Sequence, residues 1–203
     1  DVGGALSMGM RAVRIDTPLV LDGVLDEDVY ETVPAVTDFV QQYPLSGQLA
    51  TEDTEAWVFF DANNVYVVLR CHDSRPDQMV ANEMRRDNQN IWLNDNVIVV
   101  MDTFYDRRSA YFFQTNPLGG VRDALVIDEG STNYDWNAVW DAKVSRDDKG
   151  WTVEMVIPFR SMRFKEGSRE WGVNFRRMVR WRNELTFLSQ VPVSWGRRGL
   201  SKV

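Results

Sequence analysis

The stretch Thr54-Glu55-Ala56-Trp57-Val58-Phe59-Phe60-Asp61-Ala62-Asn63-Asn64-Val65-Tyr66-Val67-Val68-Leu69-Arg70 reads as a β-hairpin. Two runs of β-branched and aromatic residues flank four turn formers, and Asp and Asn tolerate the left-handed backbone that tight turns use. Outward from it the same texture recurs. Trp151, Val153, Met155 and Ile157 alternate onto one face of a strand that Pro158 ends. Val97 to Met101 is apolar at every position, as expected of a central strand covered on both faces. From Trp171 to Val179 the residues Trp171, Val173, Phe175 and Val179 alternate with Gly172, Asn174 and Arg176, while Arg177 and Met178 break the pattern.

Ala110 to Gln114, Ala124 to Ile127, Ala138 to Val144 and Leu185 to Leu188 complete, with N-terminal pieces, a set of about nine to eleven strands. Asp26 is placed to cap a short helix over Glu27 to Val33 that Pro34 follows, and this helix is expected to plug one end of the fold. The prediction is an all-β antiparallel sandwich, jelly-roll or immunoglobulin-like, with one or two short helices. Residues 1–11 read as a linker or disordered lead and residues 12–203 as one domain.

Composition narrows the function. A net charge of −7 supplies no basic field for a nucleic-acid backbone. No run of about 18 apolar residues offers a membrane-spanning helix, so no membrane insertion of this domain is expected. The single cysteine, Cys71, rules out an internal disulfide and a Cys-rich zinc site, and His72 stands alone. With no Gly-x-Ser-x-Gly elbow, phosphate loop or His-Glu-x-x-His pair, the residues point away from catalysis, although thirty acids leave a glycosidase-type carboxylate pair open.

Acids gather at strand ends in Asp73 to Asp77, Asp95-Asn96 and Asp102 to Asp106. They read either as oxygen ligands for calcium or as solvated turn acids paired with Arg75, Arg85, Arg86, Arg107 or Arg108. Aromatic residues make up 12% of the chain and include eight Trp, more than one core of this size needs. A pyranose ring stacks its apolar C–H face on an indole, and its hydroxyls need planar polar partners. Trp92, in Asn90-Ile91-Trp92-Leu93-Asn94-Asp95, and Trp195, in Pro192-Val193-Ser194-Trp195-Gly196-Arg197, sit in polar, turn-like contexts suited to that role. Trp57 and Trp151 lie in regular strands, and Trp136 and Trp140 read as edge-of-core residues.

These residues also carry a resemblance. Leu21-Asp22-Gly23-Val24-Leu25-Asp26-Glu27 resembles the opening of family 9 carbohydrate-binding modules. Phe59 to Val67, Cys71 to Pro76, Trp92 to Asp102 and Gly150 to Phe159 resemble, in order, the family's further signatures. Arg85-Arg86-Asp87, Asp102 to Arg108, Phe113 to Gly119, Trp136 to Trp140 and Ile157 to Phe164 are similar to the sugar module that precedes an outer-membrane β-barrel domain in Gram-negative bacteria.

The resemblance implies a non-catalytic module that holds an oligosaccharide or polysaccharide, at a chain end, between two Trp, here Trp92 and Trp195. Positions the family fills with Glu and Arg are Ile98 and Gln114 in this chain, with Asn116, Asn174 and Arg176 as replacements, Asn174 and Arg176 sharing a strand face. It also implies bound calcium without identifying the ligands, for which Asp73 and Asp102 of the acid clusters are the candidates, a C-terminal barrel partner, and a periplasmic, outer-membrane or extracellular location. Two alternatives accompany it: a structural or interaction domain for the barrel that has lost sugar binding, and a haem-binding electron-transfer domain of the same superfamily, with His72 and Met101 or Met155 on the iron.

Overall fold

The hairpin forms as β3 (Thr54–Phe60) and β4 (Asn64–His72), in register from Thr54 opposite Cys71 to Phe60 opposite Val65. Its turn is made differently from the expectation. None of residues 61–64 is left-handed; instead Asp61 Oδ1 accepts the N–H groups of Asn63 and Asn64 at 2.7 and 2.8 Å, and the Tyr66 hydroxyl donates to Oδ2. The Asp side chain does the turning.

The computed structural model describes residues 9–127, 131–191 and 194. Two sheets face each other. The five-stranded sheet runs β1 (Val13–Arg14), β3, β4, β10 (Gly150–Pro158), β9 (Asp141–Asp147), with β1 parallel to β3. The seven-stranded sheet runs β2 (Val40–Tyr43), β12 (Glu184–Phe187), β11 (Gly172–Val179), β5 (Asn96–Asp102), β6 (Ala110–Thr115), β7 (Val121–Ile127), β8 (Ser131–Asn133). Among the described residues that makes twelve strands; β8, three polar residues with no hydrophobic alternation, is the kind a pattern reading omits.

The inner faces meet in one core. Val65, Val67, Leu69 and Cys71 of β4 and Trp151, Val153, Met155 and Ile157 of β10 pack against Val97, Val99 and Met101 of β5, with Phe113 and Phe175. As expected, β5 is central and buried throughout. Burial pushes the Cys71 thiol up to about 11, which leaves it a small core hydrophobe. Arg177 breaks the β11 pattern because it points inward. Its guanidinium crosses to the other sheet and donates to the carbonyls of Glu52, Asp53 and His72 and to Thr54 Oγ1. The ninth strand begins at Asp141 rather than Ala138, because Asp123 on β7 draws residues 138–140 across: it accepts from Ala138 N at 3.1 Å and from Trp140 Nε1 at 2.8 Å.

The outer face of the five-stranded sheet is covered by the N-terminal chain. Leu19, Leu21, Leu25, Val29, Tyr30 and Val33 lie on Trp57, Phe59, Tyr66 and Val68. The helix, α1 (Asp28–Thr32), starts after Glu27 rather than Asp26 and lies on this face instead of plugging an end, because its apolar residues find their partners here. Glu154, fully buried, anchors the covering: Oε2 accepts Asp22 N at 3.0 Å and Gly23 N at 2.8 Å, and Oε1 accepts the Tyr30 hydroxyl at 2.6 Å. Gly23 is left-handed (φ +84), and a Cβ there would lie 2.5 Å from the Val144 carbonyl carbon. Only glycine fits.

Candidate functional site

Strand register brings four side chains into one row on the outer face of the seven-stranded sheet. Arg176 of β11 pairs with Ile98 of β5, Ile98 with Gln114 of β6, and Gln114 with Arg122 of β7. The adjacent row on this face carries Val100, Phe112 and Ala124 in register, and with Ile98, Ala110 and Val126 they make a buried apolar floor.

Three strand spacings of about 4.8 Å put the two Arg backbones roughly 14 Å apart, yet both side chains converge on one ring. That ring is Trp92, delivered by a single 3-10 turn (Gln89–Leu93) whose start is capped by Asn88 accepting from Asn90 N. Trp92 rests on Phe112 with centroids 5.8 Å apart, and the guanidinium carbons of Arg176 and Arg122 stand 4.8 and 5.9 Å from its centroid. Tyr134 closes the cluster, edge-on to Phe112 at 6.3 Å and 3.9 Å from the Arg122 guanidinium carbon.

Polar groups here are oriented but not all used. Asn96 donates to the Asn94 carbonyl, which fixes its Oδ1 to accept from Gln114 Nε2 at 3.0 Å and Arg176 Nη1 at 3.3 Å. Gln114 Oε1 and the Arg122 Nε and Nη1 groups are buried and have no partner among the described residues. Burial pulls both guanidiniums below their usual value, and after it, for Arg176, the like charge of Arg180 acts in the same direction. An aromatic plate beside planar donors and a free amide acceptor matches an apolar ring with polar substituents.

Of the predicted ligand residues, the structure joins Trp92, Gln114 and Arg176. Asn116 is taken up by its own turn: Nδ2 donates to the Glu83 carbonyl and Asn94 Oδ1, and Oδ1 accepts from Leu118 N and Gly120 N. Asn174 pins β11 to the chain after β12, donating to the Ser189 carbonyl and accepting from Ser189 N. Trp195 lies outside the described residues. Arg122 and Tyr134 are not among the expected site residues, and Asn96 is read only beside Asp95 at a strand end. Arg122 carries a signal in retrospect, being a charge in step with Ala124 and Val126 on an apolar strand face.

Asp73 and Asp102 sit at opposite ends of β5, about 20 Å apart at some 3.3 Å per residue. Both Asp102 oxygens hold its loop, accepting from Phe104 N and Arg107 N. Asp73 Oδ1 accepts from Arg75 N and Trp181 Nε1, leaving Oδ2 without a partner among the described residues. The two do not fit as joint ligands of one calcium ion, and among the described residues no three His, Cys, Asp or Glu converge. The haem pair separates likewise: His72 faces Glu55 at 2.8 Å on the outer side of β4, whereas Met101 and Met155 are in the core.

A family model described as "Carbohydrate family 9 binding domain-like" matches residues 21–181. Among solved structures, a family 9 carbohydrate binding module from Caldicellulosiruptor kristjanssonii in complex with cellotriose is 16% identical, with TM-score 0.60 over 93% of this chain and 89% of that one. Its complex with glucose gives 16%, TM-score 0.61, 94% and 91%. A candidate carbohydrate-binding protein from Bacteroides uniformis is 11% identical, with TM-score 0.64 over 89% and 88%. At these identities the likenesses establish the fold alone. No curated protein matches the chain.

Proposed function

The chain belongs to the carbohydrate family 9 binding-domain-like family, whose domains are non-catalytic binding modules, and we propose that it holds a saccharide on the outer face of its seven-stranded sheet with Trp92 as the stacking surface. One observation carries this reading. The Trp92 ring lies over a sheet face whose buried Gln114 and Arg122 keep hydrogen-bonding groups with no partner among the described residues. Buried polar groups in folded proteins are nearly always satisfied, so unpartnered ones beside an aromatic plate mark a place that a ligand completes. The two solved relatives with glucose and cellotriose support a sugar as that ligand. The motifs similar to barrel-linked modules support a place in the periplasm or at the outer membrane.

The test is Trp92→Ala. Stacking on an aromatic face contributes on the order of 1–3 kcal/mol, by analogy with bases, so binding to a responsive oligosaccharide on a broad glycan array should weaken roughly tenfold to a hundredfold. The melting temperature should change little, because Trp92 packs onto the sheet from outside and is only half-buried. A folded variant that binds as well as the wild type would overturn the assignment of this face.

A further inference from the structure

We infer that the saccharide this site takes is anionic, its carboxylate or sulfate held by Arg122 and Arg176 while its ring lies against Trp92. The inference rests on the reading of this face as the sugar site. It is carried by two cations that form no ion pair among the described residues, Asp87 acting on Arg122 only from beyond contact distance. The chain has 30 acids against 23 Lys and Arg, so unpaired arginines are not for want of partners. Arg70, Arg85, Arg86 and Arg182 all reach a carboxylate within 3.0 Å. Among the described residues Arg122, only 7% exposed, hydrogen-bonds to nothing, and Arg176 reaches only the Asn96 amide oxygen.

Burying a cation without an anion is costly, and the rings of Trp92 and Tyr134 offset only part of that cost. The remaining demand is for negative charge, and planar guanidiniums meet carboxylate or sulfate oxygens with paired, charge-assisted bonds. Gln114 Oε1, also unpartnered, is suited to a neighbouring sugar hydroxyl, which an inorganic anion would not supply. The chain's net charge of −7 repels anions at long range, so any preference for them must come from local cations, Arg122 and Arg176 with Arg180 beside the latter.

The experiment compares an oligoglucuronate, a sulfated oligosaccharide and neutral cellotriose by calorimetric titration against wild type, Arg122→Gln and Arg176→Lys. At least one acidic sugar should bind tenfold or more tighter than cellotriose, and which one does so names the anion. Losing a charge-assisted bond should weaken that sugar by about tenfold to a hundredfold in Arg122→Gln, and cellotriose, which loses only neutral hydrogen bonds, by severalfold less. Arg176→Lys, which keeps the charge but not the fork, should lose less. Cellotriose binding as tightly as both acidic sugars overturns the inference and leaves the sugar site standing, and this outcome needs no variant to fold. If no saccharide binds the wild type, the site and the inference fail together.

Discussion

The sandwich has two outer faces, and they are finished in opposite ways. On the five-stranded sheet, residues 13–33 lie over the apolar surface, and the buried Glu154 carboxylate is met by three donors, Asp22 N, Gly23 N and the Tyr30 hydroxyl. The Trp57 indole also finds an acceptor, the Val33 carbonyl at 2.9 Å. On the seven-stranded sheet, no segment among the described residues crosses the row of Arg176, Ile98, Gln114 and Arg122 in this fashion; a single turn lays Trp92 beside it, and Gln114 and Arg122 keep unpartnered groups. Both faces carry aromatic residues on an apolar floor. Aromatic content therefore does not separate a sealed face from a binding one. The difference lies in the polar groups on the strands, since Glu154 is fully met while Gln114 and Arg122 are not. The unpartnered Glu27 Oε2 belongs to the covering rather than to the sheet.

The comparison breaks most severely at Gly23. Replacing it by Ala forces a side chain into left-handed backbone and against the Val144 backbone, which should cost about 3 kcal/mol or more. In a domain of this size that lowers the melting temperature by roughly 6 to 12 °C. Thermal unfolding measured by circular dichroism checks it. A drop below about 2 °C would mean that the N-terminal covering is not held through the Gly23 turn, and the sealed face would lose its explanation.

A buried carboxylate with fewer donors than Glu154 sharpens the same contrast through pH. Asp95, 2% exposed, accepts only Val80 N at 2.8 Å and Arg180 N at 3.3 Å, and burial drives its pKa from 3.8 up to about 6. A pKa raised by folding gives a stability contribution that is complete below about 4, is lost as pH rises, and is gone above about 6. Two pKa units correspond to at most about 3 kcal/mol. Urea denaturation of wild type and Asp95→Asn at pH 4 and pH 7 isolates it: the wild type's stability relative to the variant should fall over that interval. An equal difference at both pH values would show that Asp95 is better satisfied than its two donors indicate.

Much of this was legible in the chain. The central strand over Val97 to Met101, the Thr54 to Arg70 hairpin and the Trp151 strand follow from alternation and turn residues, which are local. Trp92 was legible because an indole among Asn and Asp is out of place in a core. The covering of one face was not, because α1 shows where it starts but not what it packs on. Arg122 escaped for a related reason: its meaning comes from sharing a row with Gln114 and Arg176, a fact of register across four strands and 54 residues of sequence, from 122 to 176. Asn116 and Asn174 misled in the reverse sense. Their amides suit a sugar by type, but backbone groups of their own turn and of Ser189 occupy them.

The smallest effect expected is the most discriminating, and it concerns Gln114→Leu. At a satisfied buried position such a change removes good hydrogen bonds and costs stability; at an unsatisfied one it removes a polar atom that had no partner. Gln114 stands between these cases, since Nε2 donates to Asn96 Oδ1 at 3.0 Å while Oε1 has nothing. Losing the first bond costs about 1 kcal/mol, and relieving the second returns a similar amount. Asn96 Oδ1 keeps Arg176 as a donor, so no new orphan is made. The neighbouring row and the floor are apolar, and a leucine of similar volume fits Ile98 and Phe112. The variant should therefore unfold within about 1 kcal/mol of wild type by urea denaturation, in either direction, while its affinity for a bound saccharide falls severalfold or more as the hydroxyl partner is lost. A loss of stability well beyond 1 kcal/mol with unchanged affinity would reverse the reading: Gln114 would then be a structural residue, and the open face would be finished in the same way as the sealed one.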